Sequence, residues 1–552
     1  MGRHIFAALG VACAITVVGL VGAPSAQACG GFFCNNQAVD QSGENILFSY
    51  NDDGTITTVI QIFYEGPSEQ FAWILPVPSE PEVSVGTDAL FNQLNALTAP
   101  QFTMSQEVTG TCRNEPSCWD DYDTLANGGP RGGGAQDGGA LPPAPEVEVH
   151  LRANVGPYDV AVIRSGSADA IGQWLTDNGY LIPDSAVAEL EHYVALEHFF
   201  VALRLQKDRS SGEIQPIVLR SANDEPCIPI RLTRIATVPN MPVRAYFLAD
   251  QRVRPFNYML LNPDFDDAGL WRGTVSYDEY VTRIVEDAGG HAFVTDYAGD
   301  VPSVSLEIPS IDDLRAQTDP GEFLTALRDR GFNGDSQLLG MLLHFLPPPE
   351  SWDPNTFYNC LTAGWCREDA EIVANFEAHP FDPGPLVDAL IEGVVEPRNE
   401  AQALVDRAPH MTRLYTTLSA EEMDEDPMFM RSAELSPEFS NAHEATLRIA
   451  CGPEYFVWTA PSQIELPSGT TEVWNEGVAY YGSDSEYCED YRGAGFRPGT
   501  STARLREIAL RRNTRIGGGG VCSVSPASGA SGAASVVLLL GLLGFAWRRR
   551  AR

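Results

Sequence analysis

Ile46-Leu47-Phe48-Ser49-Tyr50, Asn51-Asp52-Asp53-Gly54 and Thr55-Ile56-Thr57-Thr58-Val59-Ile60-Gln61-Ile62-Phe63-Tyr64 follow one another without a break. Two runs rich in β-branched and aromatic residues flank four turn formers, which predicts a β-hairpin. A third apolar run, Gln70-Phe71-Ala72-Trp73-Ile74-Leu75-Pro76-Val77, comes next. Beyond it an amphipathic helix is expected over 89–97, behind an Asp88 cap. Residues 127–146 are rich in Gly, Pro and Ala and form a linker or insertion. The pattern then predicts strands at 155–163, 199–205, 214–220, 228–235 and 243–248. Helices are expected at 168–180, 185–196, 277–288, 321–330, 336–345 and 385–405, and a last β-like section at 444–464. Hairpins outnumber βαβ units and no internal repeat is evident. The fold class that follows is α+β, with mostly antiparallel sheets and interspersed helices.

The chain has 552 residues, with 74 Asp and Glu against 36 Lys and Arg and a net charge of −38. That length suggests about two to four domains. An apolar share of 44% with nine Trp and 25 Phe is ordinary globular composition. A nucleic-acid partner is disfavoured, because phosphates would meet a strongly negative surface. Lys207 is the one lysine of the whole chain, in Leu205-Gln206-Lys207-Asp208-Arg209. Nucleotide sites of the Walker and kinase types need a Lys at a fixed motif position, so both are excluded.

The two ends read as addresses. Residues 1–28 form a secretory signal peptide: Arg3 starts it, 5–21 is its apolar stretch, and Ala26-Gln27-Ala28 sets cleavage between Ala28 and Cys29. Cys29 at the new N-terminus also raises acylation, although Ala26 stands where that recognition box usually carries Leu. At the other end, glycines 517–520 precede Val521-Cys522 and a small-residue stretch at 523–531. An apolar segment at 532–547 follows, and then Arg548-Arg549-Arg550-Ala551-Arg552. As a helix that segment spans about 24 Å against a hydrocarbon core of roughly 30 Å. Snorkelling Arg and an interfacial Trp547 allow it to insert with the C-terminus in the cytoplasm, so a single C-terminal transmembrane-type helix is expected. Between the two ends, residues 29–522 hold 31 basic and 74 acidic residues. Solvation in salty water and an acidic cation-binding surface both fit that excess.

Nine cysteines remain once Cys13 and Cys522 are set aside, and export makes disulfides the default. Cys29 with Cys34, Cys112 with Cys118, and Cys360 with Cys366 are close pairs that could each close a small loop. Cys451 and Cys488 are the natural remaining partners, which leaves Cys227. If Cys29 were lipidated, Cys34 could instead meet Cys227. Zinc is disfavoured, because no pair has ligand spacing or a nearby His.

The C-terminal tail resembles the myxobacterial sorting signal called MYXO-CTERM, with Val521 standing where a Gly often precedes the Cys. That resemblance implies cleavage near Cys522 by a sortase-like protease, lipid attachment there, and a place at the outer surface of a Gram-negative cell. Cys29-Gly30-Gly31-Phe32-Phe33-Cys34, Gln41-Ser42-Gly43-Glu44, Phe71-Ala72-Trp73-Ile74-Leu75-Pro76-Val77-Pro78 and Met411-Thr412-Arg413-Leu414-Tyr415-Thr416-Thr417-Leu418 resemble segments of the bacterial domain of unknown function 2330 family. The likeness runs over about 29–460. It implies an exported, envelope-associated protein and carries over no activity, cofactor or catalytic residue.

No residue stands out as catalytic. A Gly-x-Ser-x-Gly elbow is missing from 29–522. His443-Glu444 begins a zincin-like motif, but Leu447 replaces its second His. His192 and His198 lie six residues apart, about 240° around a helix, and cannot share a metal there. Asp264-Phe265-Asp266-Asp267-Ala268-Gly269 starts like a calcium loop, yet Val275 stands where a bidentate Glu is required. Asp264, Asp266 and Asp267 are therefore weak calcium candidates, and acidic loops at 421–426 and 484–490 share that ambiguity. No cofactor is expected beyond possible calcium.

The expected layout is a signal peptide at 1–28, a β-rich part at 29–126, and the linker at 127–146. An α+β remainder at 147–460 leads to an irregular polar region at 461–521 and the sorting segment at 522–552. The function expected is a non-catalytic structural or binding role at the cell surface, anchored in the envelope. Its expected partners are the membrane and the export and sorting machinery, together with an unidentified surface ligand. A hydrolase with two converging carboxylates and a calcium-dependent adhesion module are the alternatives.

Overall fold

The computed structural model describes residues 40–65, 72–114, 147–180, 184–206, 214–222, 225–332 and 336–481. Ala28, Cys29, Cys34, Cys118, Cys488, Cys522, the 127–146 linker, the apolar 532–547 segment and Arg548, Arg549 and Arg550 lie outside them. Among the described residues no helix is long and apolar enough to cross a membrane.

The described chain begins with β1 (Asp40–Tyr50), β2 (Thr55–Glu65), β3 (Ala72–Val77), β4 (Glu82–Val85), α1 (Asp88–Thr98) and β5 (Gln101–Thr109). It continues through β6 (Glu148–Val155), β7 (Tyr158–Arg164), α2 (Ala168–Asp177), α3 (Asp184–Ala195), β8 (Phe199–Leu205), β9 (Ile217–Ala222) and the short α4 (Ile230–Thr233). Next come β10 (Met241–Ala249), β11 (Val253–Pro255), β12 (Met259–Leu261), α5 (Ala268–Trp271), α6 (Tyr277–Asp287) and β13 (Ala292–Asp300). A helical stretch follows: α7 (Pro320–Asp329), α8 (Ser336–Phe345), α9 (Pro354–Ala363), α10 (Ala370–Ala378), α11 (Pro383–Leu390) and α12 (Glu396–Arg407). The last strands are β14 (His410–Leu418), β15 (Phe429–Arg431), β16 (Ala442–Ala450), β17 (Ser462–Glu465) and β18 (Thr471–Asn475). This is the expected α+β class.

Two compact units divide the chain. Of the described residues, the first takes in 40–105, 147–446 and 465–470, and the second 106–114, 447–464 and 471–481. In the first, an eight-stranded sheet runs β12-β13-β14-β10-β1-β2-β9-β4. It is antiparallel except where β1 meets β10 and β12 meets β13. A second sheet, β3-β8-β7-β6, is antiparallel throughout. Ile46 and Phe48 of β1, Trp73 and Leu75 of β3, Val160 of β7 and Phe247 of β10 fill the core between the sheets.

Helices cover both outer faces. Ile171, Leu175, Leu190 and Tyr193 of α2 and α3 pack on Ile74, Ile163 and Phe200. Leu90, Phe91 and Leu94 of α1 and Leu404 of α12 pack on Leu47, Tyr246 and Met411. The β1–β2 hairpin forms as expected, with Tyr50 opposite Ile56. Pro76 is tolerated within β3 because that strand lies at a sheet edge, where a missing N–H leaves no partner unpaired. Helices α7 to α11 enclose a separate core around Phe323, Phe357, Leu386 and Leu390.

Several elements differ from the expectation. The strand expected at 228–235 is instead the short α4. Its alternating Ile228, Ile230 and Leu232 reflect a chain threading two cores, the first two side chains in the inter-sheet core and Leu232 under α2 and α3. Strands β5 and β6 were unforeseen, although Phe102, Met104 and Val108 on β5 and Val149, Leu151, Ala153 and Val155 on β6 alternate with polar residues; their side chains stay exposed or only half-buried. Helices α9 and α10 were also unforeseen. The single helix expected at 385–405 is α11 and α12 joined by a wider turn at Ile391–Val395. Pro397 carries no N–H for the Gly393 carbonyl four residues earlier, and its ring crowds that carbonyl. Gln215 Nε2 supplies a donor to it at 2.9 Å.

The second unit is small and stapled. Cys112 is bonded to Cys451, which corrects the expected pairings of Cys112 with Cys118 and Cys451 with Cys488. Gly110, at φ +83°, lies so close that a Cβ there would stand 2.4 Å from the Cys451 carbonyl oxygen. The Arg113 guanidinium lies over the rings of Phe456 and Tyr480, at 5.5 and 5.4 Å. Both rings are buried.

Replacing Gln215 with Leu should cost about 1–3 kcal/mol in urea unfolding, the usual cost of a buried carbonyl left without its donor. In a Pro397→Ala background, where the backbone N–H returns, the same substitution should cost less.

Candidate functional site

The described family segments converge on the first unit's sheets. In Gln41-Ser42-Gly43-Glu44, Gln41 faces Tyr64 and Gly43 faces Phe63, so Ser42 is the extra residue of a β-bulge. Side chains three residues apart on a regular strand point to opposite faces. The bulge restores them to one face, and Gln41 Nε2 donates to Glu44 Oε2 at 3.3 Å. A Cβ at Gly43 would come within 3.1 Å of the Phe63 ring and 3.3 Å of Pro242. Burial raises the Glu44 carboxyl to about 7, against a smaller opposing effect of the Gln41 amide.

A second bulge lies on β13. Thr295 faces Leu414 and Tyr297 faces Arg413, leaving Asp296 as the extra residue, fully buried. Its Oδ2 stands 2.9 Å from Nε of Arg413, itself buried, and the Tyr277 hydroxyl donates to its other oxygen. Arg413 also donates to Thr98 Oγ1 at 3.3 Å and lies over the Tyr246 ring at 5.5 Å. Beside it, Tyr415 donates to Asp278 at 2.6 Å under the Arg244 guanidinium. Burial raises the Asp296 carboxyl, with the Arg413 charge pulling the other way.

Among the described residues, cavities open at two places in the first unit. The larger, about 300 Å³, sits at the carboxyl ends of the adjacent parallel strands β1 and β10. Ser49 to Asp52, Leu248 to Asp250, Arg407 to Pro409 and Arg431 line it. Arg431 Nη1 donates to Asp250 Oδ1 at 3.2 Å while its guanidinium lies 4.8 Å over the Tyr50 ring. Arg407 donates from Nε to the Ala403 carbonyl at 3.0 Å and from Nη2 to Asn51 Oδ1 at 3.4 Å. Burial pushes the Tyr50 hydroxyl up, with Arg431 opposing. The smaller cavity, about 170 Å³, lies against the wide turn at Gly393, between Gln215, Gln337, Met341 and Phe345.

The weak calcium candidates are occupied otherwise. Asp267 accepts from the Gly269 N–H at the start of α5 and pairs with Arg283. Asp264 accepts from the Asp266 N–H, and Asp266 from the Ser468 N–H. In the 421–426 loop, Asp426 accepts from Tyr193 and from the Arg231 N–H, and Asp424 meets His291 at 2.8 Å. Among the described residues no group of three or more His, Cys, Asp or Glu is placed to hold a metal ion. His443 lies tilted against Phe265, 4.0 Å between ring centres, and burial lowers its pKa. Cys360 is bonded to Cys366 as expected, and Cys227 is free.

The segments around Glu44, Arg413 and Tyr415 stand out in the sequence by their likeness to the family, but their partners do not. Asp296, Arg407 and Arg431 gave no signal, since the contacts that matter, with Arg413, Asn51 and Asp250, come from far along the chain.

The fold and these segments define a bacterial α+β protein. The chain belongs to the domain of unknown function 2330 family, described as an uncharacterized protein conserved in bacteria, whose family model matches residues 23–336. The matched span includes the Glu44 bulge and ends before Met411 to Leu418. No curated protein matches the chain, and no solved structure does.

Two measurements test the buried charges. Glu44 titrates near its ordinary value when unfolded and at about 7 when folded. Folding stability should therefore be greatest below about pH 4.5 as far as this group is concerned, and fall by roughly 3 kcal/mol as pH rises through 7. Glu44→Gln should remove that portion of the pH dependence in urea unfolding at stepped pH. Arg413→Met should cost about 3–5 kcal/mol at neutral pH, because Asp296 is left buried without its counter-ion.

Proposed function

We propose that the chain is an exported, envelope-anchored protein with a structural or binding role at the cell surface. The observation that carries this reading is the pair of disulfides. Cys112–Cys451 closes a loop across 339 positions and Cys360–Cys366 staples the helical core. Such bonds persist in oxidising compartments and are rare in the cytosol, in agreement with a signal peptide cut at Ala28. The glycine run, Cys522, apolar segment and terminal arginines support sorting by a sortase-like protease, with membrane attachment at that end. The MYXO-CTERM likeness supports a surface on a Gram-negative cell. A binding role is favoured over catalysis because the buried carboxylates Glu44 and Asp296 are enclosed in the sheet core, while the open cleft presents paired arginines and aspartates.

Intact mass of the mature protein from its native envelope tests the address. The expected species starts at Cys29 and ends near Cys522, with or without added lipid mass. Peptide mapping without reductant should link Cys112 to Cys451. A species retaining Arg548 to Arg552 would mean a permanent anchor in place of sorting, and one retaining residues 1–28 with reduced cysteines would overturn export.

A further inference from the structure

We infer that the cleft at the ends of β1 and β10 binds a small hydroxylated anion, a sugar bearing a carboxylate or a phosphate. Topology makes the crevice. The two strands run parallel side by side, and the chain leaves them in different directions, from β1 into the hairpin toward β2 and from β10 into β11. A crevice outside the carboxyl ends of adjacent parallel strands, where the connections part, is the usual ligand position in open α/β sheets, and this parallel pair reproduces that arrangement locally. At about 300 Å³ it stands at the small end of small-molecule pockets.

The chemistry of the lining sets the ligand class. Arg431 spends Nη1 on Asp250 and its face on Tyr50, which fixes the guanidinium while Nε and Nη2 stay available. Arg407 reaches in from the end of α12 and holds Asn51 at only 3.4 Å, a contact that a ligand oxygen can replace. Two guanidiniums converging on one opening suit a carboxylate or phosphate, bound by charge-assisted hydrogen bonds. A bare anion, however, would also face Asp52 and Asp250. A ligand that carries hydroxyls beside its charge gives those carboxylates donors and turns the repulsion into recognition. A neutral sugar would leave the arginines without a counter-charge. Aromatic stacking of Arg431 lowers the ordering cost of binding, since the side chain is already held.

This inference rests on the binding role proposed above, and the mass measurement and a titration can fail separately. The mature chain is titrated calorimetrically with D-glucuronate, D-glucose 6-phosphate, D-glucose and inorganic phosphate. One or both sugar anions should saturate a single site, and which of them does so separates a carboxylate ligand from a phosphate. D-Glucose and inorganic phosphate should bind at least tenfold more weakly. Arg431→Met and Arg407→Gln should each weaken binding by at least tenfold, and Asp52→Asn by a smaller factor. Arg407 is exposed, so its variant carries the test if Arg431→Met lowers the melting temperature. Failure of both sugar anions to bind overturns the proposal, as does equal affinity for D-glucose or undiminished binding by both arginine variants.

Discussion

The central strands of the first unit are apolar on both sides, because a sheet packs on one face and helices on the other. On β1, Ile46 and Phe48 enter the inter-sheet core while Leu47 points under α1. On β3, Trp73 and Leu75 share the inter-sheet core while Ala72 and Ile74 lie under α2 and α3. Every residue of β14 is buried. Each fully buried large side chain contributes about 1.5–3 kcal/mol, so this two-faced burial dominates the unit's stability. It also explains a sequence such as Ala72-Trp73-Ile74-Leu75-Pro76-Val77, where alternation vanishes because neither face meets water.

Polar groups inside such layers must find partners within reach, and the two bulges decide which ones do. Each adds one residue to a strand and turns a carboxylate inward. Asp296 arrives opposite Arg413 and Tyr277, so its charge is compensated despite complete burial. Glu44 arrives beside an amide alone. The same backbone device thus yields one carboxylate held against a cation and another whose neutral form is favoured up to about pH 7. Local sequence does not distinguish them, because the difference is supplied by β14, more than a hundred residues away from Asp296 and several hundred from Glu44.

That distance also explains what was legible in advance. The β1–β2 hairpin, α2, α3, β8 and α6 were readable because their signals are local: turn formers between apolar runs, or a cap ahead of a 3.6-residue stripe. Thr87, and not Asp88, caps α1, a one-residue error of the kind that local signals permit. Strands β5 and β6 escaped although apolar residues alternate along both, because they flank the 127–146 stretch and their alternation is diluted by small and charged residues such as Ala153 and Glu107. The Cys112–Cys451 bond escaped because short loops are the natural guess from spacing, whereas the fold brings β5 and β16 side by side. As for the cleft, the sequence shows Arg407 and Arg431 as two arginines among 35, with nothing to set them apart.

Recognition of a polar ligand has few places to occur in such a layered unit. The interiors of the central strands are closed by packing on both faces, and a carboxylate placed there is committed to structure or held neutral. These central strands meet water mainly where they end, and at the end of β1 a hairpin turn to β2 takes up the backbone. Asn51 spends its backbone on the turn to Thr55, yet β10 leaves the sheet without such a turn, through Asp250 toward β11. The opening beside it is therefore a product of topology, and its polarity follows from solvent access. Arg431 is brought to this opening by β15 through its pairing with β11, the strand that follows β10, and Arg407 by the end of α12, which leads directly into β14 beside β10. The packing constraint that closes the sheet faces leaves polar chemistry to strand ends such as these.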